Sequence, residues 1–180
     1  RIHVAPSYTL NIEPDEALLR AQLTYQVPGA RAFEFRVGLN GWELTADPIE
    51  SNGLVDRDGV VVTRDGLLVL PLAQASSRRA EIAFWVRRAL PRDGARFEVP
   101  LLSPEADSVA AAELAVSAGQ GLELLPDMAR SRGLSPTPIS GERPAPTGAA
   151  GGPAFVYRSV PPEPGFAAER TVLAQQIDAN

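Results

Sequence analysis

The chain has no cysteine, no lysine and a single histidine, His3. Without cysteine there is no disulfide, no thiolate nucleophile and no cysteine-bound zinc. One imidazole cannot build a histidine metal cluster. A serine–histidine pair would have to use His3, at a chain end where packing on several sides is hardest to arrange. Every basic side chain is arginine, which coding bias in a GC-rich genome explains without invoking a ligand. No apolar run approaches the ~20 residues of a membrane-spanning helix. The net charge of −5 over 180 residues argues against a nucleic-acid partner, because such partners demand a basic face. The chain opens on Arg1 without a charged-then-apolar leader and reads as part of something longer.

What is abundant is strand periodicity. Tyr8, Leu10 and Ile12 alternate with polar neighbours; so do Leu19, Ala21, Leu23, Tyr25 and Val27. In "AFEFRVGL", Phe33, Phe35, Val37 and Leu39 form the expected core face. Asn40-Gly41 is a strong two-residue hairpin signal, which sets Leu39 opposite Trp42 and brings Trp42 and Leu44 into the same core. The strand from Arg78 to Leu90 turns Ala80, Ile82, Phe84 and Val86 inward, and Arg79, Glu81, Ala83, Trp85 and Arg87 outward. "ARFEVPLL" follows in the same pattern, then "AELAV" and "LELL", separated by a glycine turn. "EADSVAAAEL" is the one stretch with some helical character before residue 126.

Arg-Asp-Gly occurs three times, at residues 57–59, 64–66 and 92–94. Asp-Gly suits a turn with two positive-φ residues, so these triplets read as punctuation. Two-residue loops at Asp58-Gly59 and Asp65-Gly66 give a three-strand meander with Val55 facing Val62 and Val62 facing Val69. That meander has apolar side chains on both faces, and the outer one needs a cover. A calcium loop from Asp56, Asp58 and Asp65 is the weaker alternative, since the acidic spacing and closing glutamate are missing.

The regular turns predict an all-β fold, an antiparallel β-sandwich of roughly eight to ten strands with hairpin and meander connections. Residues 1–130 are assigned to the sandwich. Residues 131–153, rich in Pro, Gly and Ala, are read as a linker or long loop. Residues 154–180 supply added strands or the start of a neighbouring module: "AFVYRS" reads as an added strand, and "RTVLAQQIDA" as the start of a neighbouring module or a terminal helix.

Candidate chemistry is sparse. Glu34, Glu43 and Glu81 alternate outward, as a solvated face should, and no pair stands out for glycoside hydrolysis. "TGAAGG" lacks the Lys-Ser/Thr ending of a phosphate loop. No catalytic residue, metal ligand or cofactor is assigned. Arginines 78, 79, 87, 88, 92 and 96 concentrate locally, as on a sheet edge guarded by charge. The ligand-binding candidates are Trp85 with Glu81, Arg87 and Arg79, an aromatic beside charges of the kind that stacks on a sugar ring while the charges bond its hydroxyls.

Three functions follow. The first is a non-catalytic interaction or spacer module of a larger, extracytoplasmic bacterial protein, its partners being adjacent domains of the same parent or another protein. The second is a carbohydrate-binding module using Trp85. The third is an accessory domain of an enzyme whose catalytic part lies elsewhere.

Overall fold

The computed structural model describes residues 1–29, 31–76, 79–92, 95–137 and 155–173. Among these the chain is all β, with fifteen strands and one 3₁₀ turn. The long alternating segments form one large sheet. Its centre is β1 (His3–Ile12), β2 (Glu16–Gln26) and β7 (Ala80–Ala89), paired antiparallel over their full lengths. Leu19, Leu23, Tyr25, Ile82, Phe84 and Val86 are buried on its inner face, as their period of two requires.

The other flank of β1 is parallel. It pairs with β10 (Ser108–Val109) and then with β11 (Ala112–Ala118), which carries the sheet on to β14 (Phe155–Ser159) and β13 (Leu134–Pro136). The helical character of "EADSVAAAEL" is therefore overridden. Ala112, Leu114 and Val116 alternate inward, and the ladder with β1 is worth more than a short alanine-rich turn of helix. Within the stretch read as a linker or long loop, Leu134–Pro136 forms a strand that pairs with Phe155–Ser159 in this sheet; residues 138–153 of that stretch lie outside the described residues.

The opposing layer is built from two smaller sheets. One is β12 (Leu122–Pro126), β15 (Gly165–Val172) and β8 (Arg96–Pro100). The other is β5 (Val61–Val62), β6 (Leu67–Ser76), β3 (Ala32–Gly38) and β9 (Ser103–Pro104). β8 runs into β9 through buried Leu101 and Leu102, pairing β15 with its first half and β3 with its second. The layers meet through aromatic rings. Tyr25 of β2 stacks on Phe35 of β3 with centroids 3.8 Å apart, and Tyr157 of β14 meets Phe166 of β15 at 5.9 Å. This is a β-sandwich.

Three local expectations are corrected. Phe33 is 71% exposed rather than core. The β3–β6 register slips between Ala32 and Glu34, where β6 advances from Ser76 to Pro71, and the slip breaks the alternation and turns Phe33 out. Asp58-Gly59 is not a hairpin loop: Arg57–Gly59 is a 3₁₀ turn, and the Asp56 carboxylate accepts the Asp58 N–H at 3.3 Å. Val55 and β5 consequently lie along the same flank of β6, with Val55 opposite Leu72, Val61 opposite Val69 and Val62 opposite Leu68, one residue off the expected register. Arg64–Gly66 closes the β5–β6 hairpin as a three-residue loop with Gly66 at φ +77°, because Thr63 pairs with Leu67. The glycine turn between "AELAV" and "LELL", at Gly121, moves the chain from the large sheet to the smaller layer. Asp93 and Gly94 of the third Arg-Asp-Gly lie outside the described residues.

Asn40-Gly41 does form the expected tight turn, with φ values of +50° and +90° and a Trp42 N–H to Leu39 O bond of 3.0 Å. It joins two layers instead of two paired strands, since β3 belongs to the smaller layer and β4 (Glu43–Leu44) pairs with β7. Trp42 is buried at the crossing and donates its indole N–H to Pro100 O at 2.7 Å.

Candidate functional site

Arg79, just before β7, and Glu81, Ala83, Trp85 and Arg87 within it point to the outer face, away from the core. From Arg79 to Arg87 they span roughly 26 Å at ~3.3 Å per residue, too far for one small-molecule contact. Their surroundings differ. Arg87 pairs with Glu16 at 3.5 Å on exposed surface. Trp85 is half-buried, directly opposite Arg20 of β2, and its carbonyl accepts the Thr45 N–H at 3.1 Å.

Arg79 and Glu81 form an ion pair of 2.7 Å at one end of a groove of about 660 Å³. Its floor is Ala80–Ala83 of β7. One wall is Arg20 and Gln22 of β2; the other is Glu50–Asn52 with Leu54. Trp85 and Arg87 lie beyond its end.

The second wall exists because of long-range pairing. Glu50 exchanges two backbone hydrogen bonds of 2.8 Å with Ala83, which buries Ala83 on the outer face. Asn52 and Gly53, at φ +55° and +75°, then turn the chain away from β7. After the turn, Val55 bridges Leu72 of β6, and the segment has crossed between the layers. Ser51 holds the turn through its Oγ, which accepts the Val55 N–H at 3.0 Å. Arg20 reaches across β7 to Glu50 at 2.8 Å. The groove is thus fixed by a bridge, a turn and an ion pair. Asn52-Gly53, the same dipeptide as Asn40-Gly41, is the sequence signal that marks this wall.

A serine, a histidine and an aspartate do meet elsewhere. His3 Nδ1 lies 2.5 Å from Ser108 Oγ on the β1–β10 pair, with Asp107 beside them. Asp107 Oδ2 accepts the Ile2 backbone N–H at 2.6 Å, and that bond, with the nearby positive groups, holds its carboxyl below the usual range. The carboxylate therefore fastens the start of β1 and does not orient the imidazole, so the trio lacks the arrangement of a catalytic triad.

Two buried polar groups stand out. The Tyr25 hydroxyl has no hydrogen-bond partner among the described residues, and burial raises its pKa, with Tyr8 adding to the shift. Arg170, 5% exposed on β15, donates to Pro91 O and lies over the Phe97 ring at 5.8 Å; burial lowers its pKa against the opposing pull of Asp15. Among the described residues no three His, Asp or Glu side chains converge as a metal site.

The fold defined by these pairings is an all-β sandwich with one large mixed sheet. No family model and no curated protein matches the chain. Among solved structures, it is similar to a chain of the complex between a CaDoc0917 variant and CaCohA2 at pH 5.5, with 12% identity over 65% of this chain and 100% of that chain at a TM-score of 0.41. It is also similar to the seventh ScaB type I cohesin of Pseudobacteroides cellulosolvens, with 12% identity over 68% and 96% of the two chains at 0.39. Likeness at that level carries no functional argument, and the fold stands on the strand pairing itself.

Proposed function

We propose that this chain is a non-catalytic interaction module of a larger protein, docking an adjacent domain or a separate protein through its β5–β6–β3–β9 sheet. One observation carries the reading. Around that sheet three large apolar side chains are exposed among the described residues: Phe33 at 71%, and at the β5 edge Val61 at 54% and Val62 at 45%, the last two pointing to opposite faces as strand neighbours. Val61 and Val62 form an edge strand whose outer flank pairs with nothing among the described residues, and neither carries the charge that usually blunts such an edge. Exposed apolar surface of this kind is costly to leave wet and is the usual mark of a protein partner. An extracytoplasmic bacterial parent is part of the same reading, on the analogy of architecture alone.

The test is cross-linking mass spectrometry of the parent protein in the cells that make it, with Phe33→Ser and Val61→Asp as separate variants. Both side chains are outside the core, so each isolated variant keeps its melting temperature. Loss of the same cross-linked neighbour in both variants supports the reading. An unchanged set of cross-links in both refutes it.

A further inference from the structure

We propose that the groove along β7 binds a neutral oligosaccharide. This is independent of the apolar docking surface, which belongs to the opposing layer. The volume, about 660 Å³, falls within the ~300–1,000 Å³ of small-molecule sites.

The lining selects among ligand classes. Arg20 and Arg79 offer guanidinium donors; Glu50 and Glu81 offer carboxylate acceptors; Gln22 and Asn52 offer amides with both. Each arginine is already neutralised by one of the glutamates, at 2.8 Å for Arg20–Glu50 and 2.7 Å for Arg79–Glu81. Each pair is net neutral and sits on exposed surface, so neither an anion nor a cation meets an uncompensated charge there. An apolar ligand would find only Leu54, the Ile82 strand segment and two alanines among polar groups. A chain of hydroxyls needs no uncompensated charge: an ion pair presents a donor and an acceptor side by side, which is what adjacent sugar hydroxyls require, and charge-assisted bonds to hydroxyls are among the stronger ones.

The shape agrees. The floor is a strand, extended and narrow, and the walls are set by rigid pairing, so little ordering accompanies binding. The next outward side chain of β7 after Ala83 is Trp85, half-buried, roughly 7 Å further along the strand. Its indole lies beyond the groove's end, where an oligosaccharide longer than the floor meets an aromatic ring whose stacking on a sugar C–H face complements the polar walls.

Amide chemical-shift mapping tests the proposal. The ¹⁵N-labelled chain is titrated separately with cellohexaose, xylohexaose, mannohexaose and chitohexaose at millimolar concentration. The expected result is a saturable shift at Gln22, Asn52, Glu81 and Ala83 with at least one of the four. Glu81→Gln, Gln22→Ala and Trp85→Ala each weaken that binding about tenfold, while Arg64→Ala, on the β5–β6 hairpin, leaves it unchanged. All three replaced side chains are at least partly exposed, and the dispersion of each variant's spectrum reports that it is folded. Absence of saturable shifts with all four sugars, or binding undiminished in all three variants, overturns the proposal.

Discussion

The two layers of the sandwich are built to different standards. In the large sheet, β1, β2 and β7 run ten or eleven residues each in unbroken register, and every second side chain, Arg88 of β7 excepted, is buried. In the facing layer the ladders are short, split between two sheets, and interrupted by the slip at Phe33 and the 3₁₀ turn at Arg57–Gly59. The regular layer supplies the core and one flat wall. The irregular layer supplies the corners, the crossings and the exposed apolar groups. A sandwich needs only one continuous sheet to define its core; the facing layer can be assembled in pieces as long as each piece delivers its inward side chains.

The largest effect that tests this contrast lies within a single strand. Phe35→Ala removes a ring stacked on Tyr25 in the buried core and is expected to cost about 3–5 kcal/mol in urea denaturation. Phe33→Ala, two residues away, is expected to stay within about 0.5 kcal/mol. Equal costs would mean that the slip does not exist and that β3 is as regular as β2.

Trp42→Phe comes next. It leaves Pro100 O without its indole donor at the crossing between layers, with an expected loss of about 1–3 kcal/mol. A negligible change would show that packing alone holds the crossing. Gly66→Ala places a side chain at φ +77° in the β5–β6 loop, at about 1–2 kcal/mol, and the same denaturation curve reads it. Smallest is Tyr25→Phe, which deletes a buried hydroxyl with no partner among the described residues; stability is expected to be unchanged or to rise by up to about 1 kcal/mol. A loss there would reveal a hydrogen bond to water inside the regular layer.

The same contrast decides what was legible in the sequence. Alternation located the core faces of β1, β2 and β7 because nothing interrupts them. It placed Phe35 and Val37 correctly and Phe33 wrongly, because a register slip is a property of two strands and only one of them is visible in a local pattern. Asp58-Gly59 misled for a related reason: the same dipeptide serves a hairpin or a 3₁₀ turn, and here the Asp56 carboxylate and the flank of β6 choose the second. The outward placement of Arg79, Glu81, Trp85 and Arg87 could be read from period two. The groove beside the first pair could not, since its far wall comes from Glu50–Leu54, held by a bridge to Ala83 some thirty residues away in sequence.

The parallel pairing of β1 with β10 and β11 also has a consequence in time. β1 is made first, yet its parallel neighbour begins with Ser108, 105 positions after His3. At a synthesis rate of ~5–20 residues per second, the β1–β2 hairpin waits roughly 5–20 s with one flank unfilled. The strand that ends at the middle of the finished sheet is, during its making, an edge, and Pro6 within it withholds one of the N–H groups that a wrong partner would use.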